Sequence, residues 1–224
     1  MERHRGGTAI GRPLIIIEAA VESVESAVAA EDHGAGRIEL CANLSVGGTT
    51  PTADLIAAVL EKTQLPVFVM IRPRGGDFVY SAPEIAAMSR DIERARTTDI
   101  GGIVTGVLKP DGGVDVDRTR SLVDSAAGLP VTFHRAFDRT RNLPDALEQL
   151  IEIGVSRVLT SGGAPTALEG ALVISALVAQ ARGRITILAG SGVREHNVRE
   201  LVAQTGVSEV HARDVRGIRR ALAG

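Results

Sequence analysis

Titratable side chains recur at the ends of short apolar runs in this 224-residue chain. Glu18 and Glu39 lie in two of these runs, and His134 and His211 end two others. Carboxyl and imidazole groups are the side chains that most often move protons in enzymes. Arg72 ends a further run, and its guanidinium group is suited to bind a carboxylate or a phosphate. These residue types predict acid–base chemistry on a small anionic molecule.

The densest polar segment is His-Arg-Ala-Phe-Asp at residues 134–138. His134 is a candidate general acid or base, and Asp138 or a neighbouring glutamate could set the tautomer of its ring. The histidines at positions 33 and 196 fall at predicted helix ends and are expected to be solvated. The predicted catalytic residues are Glu18, Glu39, His134, Asp138 and His211.

Three glycine-containing loops are candidates for binding an anion: the first because it carries two guanidinium groups, and the other two because their backbone N–H groups can surround negative charge. They lie at residues 72–78, 160–163 and 190–193. Glycine is also needed wherever a turn is sharp, so each motif has a purely structural alternative. In the first loop, Arg74 and Asp77 could simply pair with each other. The predicted substrate-binding residues are Arg72, Arg74, Asp77, Thr105, Arg135, Ser161, Gly162, Gly190 and Gly192.

Eight β-branched runs alternate with eight segments of helical spacing. The predicted strands span residues 14–18, 37–41, 66–72, 102–107, 131–134, 157–160, 185–189 and 209–211. The predicted helices span residues 23–31, 52–62, 83–96, 117–126, 144–153, 167–181, 197–204 and 215–222. Repeated strand–helix units imply a parallel sheet, and eight of them favour a single closed (β/α)8 TIM barrel. An open doubly wound sheet is the alternative, but no glycine-rich turn follows the first strand.

The candidate residues fall at the C-terminal ends of the predicted strands, where barrels of this class perform their chemistry. The first and eighth strands are neighbours in a closed barrel, so Glu18 and His211 should lie close together. Alternation along the second strand turns Glu39 and Cys41 into the barrel. The structural alternative is that Arg72 neutralises both glutamates in a buried network that only stabilises the barrel.

Composition excludes several classes of protein. The chain has 25 Lys and Arg against 27 Asp and Glu, a net charge of −2, and only four phenylalanines and one tyrosine. Clustered cations and stacking aromatic side chains, which nucleic-acid binding needs, are therefore not expected. A single cysteine excludes an internal disulfide and favours a reducing, cytoplasmic location. We expect no membrane span, a disordered arm over residues 1–12, and one barrel domain over residues 13–224.

Five longer motifs identify a family resemblance. They are Arg-Ile-Glu-Leu-Cys at 37–41, Gly-Gly-Thr-Thr-Pro at 47–51, Ile-Arg-Pro-Arg-Gly-Gly-Asp-Phe at 71–78, Val-Thr-Phe-His-Arg-Ala-Phe-Asp at 131–138 and Arg-Val-Leu-Thr-Ser-Gly at 157–162. With these motifs the chain resembles the CutC family from about residue 15 to residue 211. The resemblance implies a cytoplasmic TIM barrel that forms a homodimer or a larger homo-oligomer. It also implies a role in copper homeostasis, with Cu(I) bound by cysteines near the barrel mouth.

The copper ligands that the resemblance implies are reduced in this chain. Similar family members often carry a cysteine two residues after the first-strand glutamate, where this chain has Ala20. Cys41 is therefore the candidate metal ligand, and His211 or Met70 could add a second donor to Cu(I). Cys41 could instead be a small buried hydrophobic residue. Two functions stay open: a copper-handling protein, and an enzyme that performs acid–base chemistry on a small anionic or phosphorylated molecule. Ligation of a harder divalent ion by glutamate and histidine is a variant of the second.

Overall fold

The computed structural model describes residues 14–224, which form a closed barrel of parallel strands. The strands are β1 (Ile16–Val21), β2 (Arg37–Leu40), β3 (Val67–Met70), β4 (Gly102–Thr105), β5 (Val131–Phe133), β6 (Arg157–Thr160), β7 (Thr186–Gly190) and β8 (Glu209–Ala212). Each strand pairs with the next along the chain, and β8 closes the barrel on β1. The predicted TIM barrel is confirmed, and the open sheet is excluded. The arm expected over residues 1–12 lies outside the described residues.

A helix follows every strand and packs on the outside of the barrel. The helices are α1 (Val24–Asp32), α2 (Ala53–Lys62), α3 (Ala82–Ala95), α4 (Val116–Ser125), α5 (Leu143–Glu152), α6 (Ala171–Ala181), α7 (Val198–Thr205) and α8 (Val215–Ala223). Hydroxyl side chains fix several helix starts: Ser23 and Thr52 each accept the backbone N–H three residues ahead, a cap worth about 1 kcal/mol. Among residues 14–224, no helix has the length and apolar character required to cross a bilayer.

Helix α6 begins four residues later than the sequence predicts. Its first residue follows Gly170, whose backbone packs tightly against the loop after β6. A Cβ at Gly170 would lie 1.9 Å from the carbonyl oxygen of Ser161, so only glycine fits. The segment before Gly170 therefore folds as separate turns against that loop instead of extending the helix.

Alternation along the strands separates an apolar outer layer from a polar interior. On β2, Ile38 and Leu40 are fully buried in the large apolar core between strands and helices. The intervening residues Arg37 and Glu39 are also buried, and Arg37 forms ion pairs with carboxylates of β1 and β8 inside the barrel. The interior of the barrel thus contains the charges that the sequence places at alternate strand positions.

Candidate functional site

A cavity of about 470 Å³ lies at the C-terminal ends of the strands. Cavities of this size hold small organic molecules in other proteins. The cavity is lined by one carboxyl group, two imidazole rings and five guanidinium groups. Positively charged side chains therefore outnumber the single acidic one. These side chains belong to Glu39, Arg72, His134, Arg135, Arg139, Arg194, His211 and Arg213.

Glu18, Glu39 and His211 meet at the floor of this cavity. Glu18 of β1 pairs in register with His211 of β8. Nδ1 of His211 lies 2.9 Å from Oε1 of Glu18, and Nε2 of the same ring lies 3.6 Å from Oε2 of Glu39. The predicted proximity of Glu18 and His211 is confirmed. Because Nδ1 faces the Glu18 carboxylate, the other ring nitrogen is directed to Glu39.

The three groups have different protonation equilibria. Burial opposes ionisation of Glu18, but the hydrogen bond with His211 and the charge of Arg37 outweigh it and lower the pKa of Glu18 to about 2. Burial raises the pKa of Glu39, and the nearby Glu18 charge adds to this shift. Burial disfavours the charged form of His211, but Glu39 and Glu18 raise its pKa. Glu18 is therefore a fixed charge, and Glu39 and His211 form a pair that can take up or release a proton.

These same three residues bring potential ligand atoms within 4.8 Å of one another, which is the geometry that a metal site also needs. Both oxygens of Glu18, however, already accept hydrogen bonds, one from Arg37 and one from His211. Oxygen ligands for a divalent ion would then come from Glu39 alone, whereas Ca²⁺ and Mg²⁺ need about six ligands. The donor set suits proton transfer better than it suits a hard divalent ion.

Three buried side chains of the cavity lining each keep one polar atom without a hydrogen-bond partner among the described residues. These atoms are Oε1 of Glu39, Nε of Arg72 and Nε2 of His134. A buried polar atom left unpaired costs about 1–3 kcal/mol. All three atoms belong to residues that line the same cavity.

His134 is a neutral hydrogen-bond donor. Its Nδ1 accepts the backbone N–H of Ala136 at 3.3 Å, so the proton of the neutral ring resides on the unpartnered Nε2. Burial, together with the charge of Arg72, lowers the pKa of His134 to about 3. The ring packs against Phe78, with centroids 4.9 Å apart. A neutral imidazole held in this way can polarise a ligand oxygen without carrying a charge of its own.

Arg72 holds two loops together and does not neutralise the glutamates. Its Nη1 donates to the carbonyl oxygens of Val46 and Gly48, and its Nη2 donates to that of Gly76. Arg37 instead pairs with Glu18. The structural alternative, in which Arg72 neutralises Glu18 and Glu39, is therefore wrong, because strand register places Arg37 directly beside Glu18.

The loop after β6 surrounds a carboxylate, as its glycines suggest, but that carboxylate belongs to Asp138. The side chain accepts the backbone N–H groups of Ser161 and Gly163, each at 3.0 Å, and the hydroxyl of Thr160. Arg135 completes the arrangement with its Nε 2.9 Å from Asp138. Asp138 and Gly162 thus lie outside the cavity lining, as does the fully buried Ser161, and no described contact joins Asp138 to His134.

Four more predicted binding residues make contacts of their own outside the lining. Arg74 pairs with Asp77 at 3.0 Å and with Glu84 at 2.6 Å, so the pairing alternative for this loop is what the structure contains. Thr105 is buried and donates to the carbonyl oxygen of Ile71. Gly190 packs under His211, where a Cβ would lie 3.2 Å from that of the histidine. Gly192, in contrast, lines the cavity directly.

Cys41 lies beside the cavity floor but is fully buried. Its Sγ lies 3.6 Å from Oε2 of Glu39. Burial, reinforced by the charge of Glu39, raises the pKa of the Cys41 thiol well above its usual value. Met70 lines the cavity nearby: a Cβ on Gly48 would meet Sγ of Cys41 at 2.9 Å and Cε of Met70 at 3.5 Å. The thiol and the thioether therefore share one small region.

Three arginines of the lining were not among the predicted residues: Arg139, Arg194 and Arg213. All three lie in the segments that follow β5, β7 and β8. Since the chemistry of this barrel class resides in those segments, cations there could have been included on position alone. The role of Arg37 was also missed, because only strand register reveals its partners.

Comparison with known proteins assigns the family. The CutC family model matches residues 15–215. The copper homeostasis protein cutC homolog of Mus musculus is 48% identical over 196 residues, which is 88% of this chain and 72% of the mouse protein. The family protein CutC of Histophilus somni is 47% identical over 195 residues, covering 87% of this chain and 80% of its own. The crystal structure of CutC from Streptococcus agalactiae matches with a TM-score of 0.85 and 34% identity, covering 90% of this chain and 100% of that one. The chain belongs to the CutC family.

Proposed function

We propose that this protein binds a small organic anion at the mouth of the barrel and transfers a proton to or from it. The observation that carries the proposal is the set of unpartnered buried atoms around one cavity, on Glu39, Arg72 and His134. Two of these atoms are N–H donors, and the third belongs to a carboxyl group with a raised pKa. Two donors and one proton-exchanging group match an oxyanion that is bound next to the site of proton transfer.

Each residue has a definite role in this proposal. Nε of Arg72 and Nε2–H of His134 donate to ligand oxygens, and His134 does so as a neutral ring. Glu39 exchanges the proton with the ligand, and the nearby ring of His211 stores or returns it. Glu18 keeps His211 oriented through their hydrogen bond. The proton that leaves the ligand is thus held between two groups whose closest atoms are 3.6 Å apart.

Binding is tested by a melting-temperature panel of glycolate, lactate, pyruvate, oxaloacetate and acetoacetate. A ligand at a hundredfold excess over its Kd should raise the melting temperature by about 5 °C or more. His134→Ala should abolish the rise, because it removes a donor to the ligand. His196→Ala is the matched control, since this exposed histidine lies outside the lining.

Proton transfer is tested by deuterium exchange from D₂O into the carbon next to the carbonyl group of any ligand that binds. Glu39→Gln should slow this exchange about 100-fold or more, because general acid–base groups contribute effects of that size. Two results contradict the proposal: neither an anion of the panel nor 3-phosphoglycerate raises the melting temperature, or a bound ligand exchanges equally fast with the wild type and with Glu39→Gln.

A second candidate function is the handling of copper as cargo, which the name of the mouse relative suggests. The observation that favours it is the shared region of the Cys41 thiol and the Met70 thioether, with Glu39 3.6 Å from the sulfur. These donors include only one thiol, and its raised pKa means that Cu(I) must displace a proton to bind. Soft ligands of this kind are those that Cu(I) prefers.

An anaerobic Cu(I) competition titration against a chromophoric chelator tests this second function. Tight one-to-one binding that is lost in Cys41→Ser and weakened in Met70→Leu supports it. Met88→Leu is the control, because Met88 is fully buried on α3 in the outer core. If the wild type does not compete with the chelator, copper binding by this chain is contradicted.

A further inference from the structure

We infer that the ligand of this cavity carries a phosphate monoester, which is bound by the backbone N–H groups of residues 191–193 and the guanidinium groups of Arg194 and Arg139. This inference rests on the proposed function and specifies its substrate class. The phosphoryl group occupies the side of the cavity formed by the segment after β7. The rest of the molecule extends to the unpartnered atoms of His134, Arg72 and Glu39.

The backbone N–H groups of Ser191, Gly192 and Val193 have no partner among the described residues. None of them donates a hydrogen bond to a carbonyl oxygen or a side chain there, and all three residues line the cavity. Ser191 adopts a φ of +82° and Gly192 a φ of +69°. The Ser191 hydroxyl donates to the carbonyl oxygen of Pro165, and its own carbonyl accepts the N–H of Ala167, which fixes this turn. A rigid turn with free N–H groups is a binding site for a tetrahedral oxyanion.

The segment after β6 provides an internal comparison. There the N–H groups of Ser161 and Gly163 are already used by the carboxylate of Asp138. The same kind of turn therefore binds an anion within this barrel, and in that case the anion is part of the chain. After β7, no carboxylate lies within 4.0 Å of Arg194, the cation of that turn, in the part of the chain that the structure describes. A ligand must supply the anion there.

The charge of the cavity favours a dianion over a carboxylate. Arg139, Arg194 and Arg213 face it without an ion-pair partner among residues 14–224, and the single carboxyl group of the lining belongs to Glu39. Arg194 and Arg213 each donate to one backbone carbonyl, of Val193 and Leu44, which leaves most of their N–H groups free. Guanidinium groups and backbone N–H groups together bind the three terminal oxygens of a phosphate monoester, whereas a carboxylate offers only two.

Two unpartnered donors, on Arg72 and His134, also favour a ligand in this cavity. Arg72 and His134 line this same cavity, and each keeps one buried nitrogen, Nε and Nε2 respectively, without a hydrogen-bond partner among the described residues. A cavity of about 470 Å³ has room for a phosphate group together with a skeleton of a few carbon atoms. One molecule can therefore contact the turn after β7 and the side chains of Arg72 and His134 at once.

Calorimetric titration with matched ligands tests the inference. The pairs are 3-phosphoglycerate with glycerate, and glycerol 3-phosphate with glycerol; inorganic phosphate is titrated alone. The wild type should bind each phosphate ester at least about tenfold more tightly than its unphosphorylated partner, as expected for charge-assisted hydrogen bonds. Arg194→Gln and Arg139→Gln should each reduce that advantage about tenfold, because each removes a charge-assisted donor to the phosphoryl group. Arg216→Gln is the control, because this exposed arginine of α8 is not part of the lining.

The outcomes separate this inference from the proposed function. If glycerate binds as tightly as 3-phosphoglycerate and both depend on His134, the phosphate inference is overturned and the proposed function stands. If the phosphate esters bind equally to the wild type, Arg194→Gln and Arg139→Gln, the assigned phosphate site is overturned. If neither these anions nor those of the melting panel bind, both proposals fail.

Discussion

Oε1 of Glu18 lies 2.9 Å from Nδ1 of His211, across the contact between β1 and β8 that closes the barrel. The same hydrogen bond thus joins the first strand to the last and orients a ring of the candidate site. It directs Nε2 of His211 to Glu39. Closure of the barrel and assembly of the proton-transfer pair are therefore linked through these two residues.

The first prediction concerns Glu18→Gln. Removing the Glu18 charge should lower the pKa of His211, because that charge is one of the interactions that raise it. The measurement is an NMR titration of the histidine ring signals, with the exposed His196 as an internal control. An unchanged His211 titration would show that Glu18 does not act on this ring.

Arg37→Met should strongly destabilise the protein. Arg37 is buried between Glu18 and Glu209, so its loss leaves Glu18 without its arginine partner and Glu209 with Arg157 alone. Breaking a buried ion pair costs about 3–5 kcal/mol of unfolding free energy. The matched control is Lys62→Gln, which breaks the exposed pair with Glu61 and should cost less than about 1 kcal/mol. Equal effects in urea denaturation would contradict a stabilising role of the buried network.

Stability should depend on pH through His134. Its pKa in the folded protein is about 3, below the ordinary value of 6.5. Between these values the unfolded chain binds a proton and the folded protein does not, so this residue lowers stability as pH falls from about 6.5 to 3. One such group changes the free energy of unfolding by about 1.4 kcal/mol per pH unit. His134→Gln should therefore lose stability less steeply than the wild type in this window. Parallel curves in urea denaturation would show that His134 titrates normally.

Cys41 should react slowly with a thiol reagent in the folded protein. Burial and the charge of Glu39 raise the pKa of its thiol, and the thiolate is the reactive form. Ellman's reagent should modify the native protein much more slowly than the urea-unfolded chain at the same pH. Immediate modification of the native protein would mean that the thiol is accessible, which would strengthen the copper function.

The barrel and part of the site could be predicted because both follow from periodicity. Strand alternation places Glu39 inside the barrel, and closure makes the strand ends that carry Glu18 and His211 neighbours. Which arginine pairs with which carboxylate inside the barrel could not be predicted in the same way. Arg37, and not Arg72, pairs with Glu18 because of the register Glu18↔Arg37, which the sequence pattern does not encode.

The loops were harder to predict because their conformations depend on tertiary contacts. Asp138 lies in the short helical turn Phe137–Arg139, which brings its carboxylate to the segment after β6 instead of to His134. The free N–H groups after β7 depend on the contacts of Ser191 with Pro165 and Ala167. Residue types alone make both loops candidates for binding an anion and do not show that the loop after β6 already holds the carboxylate of Asp138.

The most direct test of the central claim is the NMR signal of the His134 ring in protein labelled with ¹⁵N-histidine. We predict a neutral ring with its proton on Nε2 from about pH 4 to pH 8, as follows from a pKa of about 3. Adding 3-phosphoglycerate should shift that Nε2–H signal saturably, while the signals of His196 stay fixed. A His134 ring that titrates near pH 6.5, or that responds to none of 3-phosphoglycerate, glycerate and the anions of the melting panel, would contradict an anion site at this cavity.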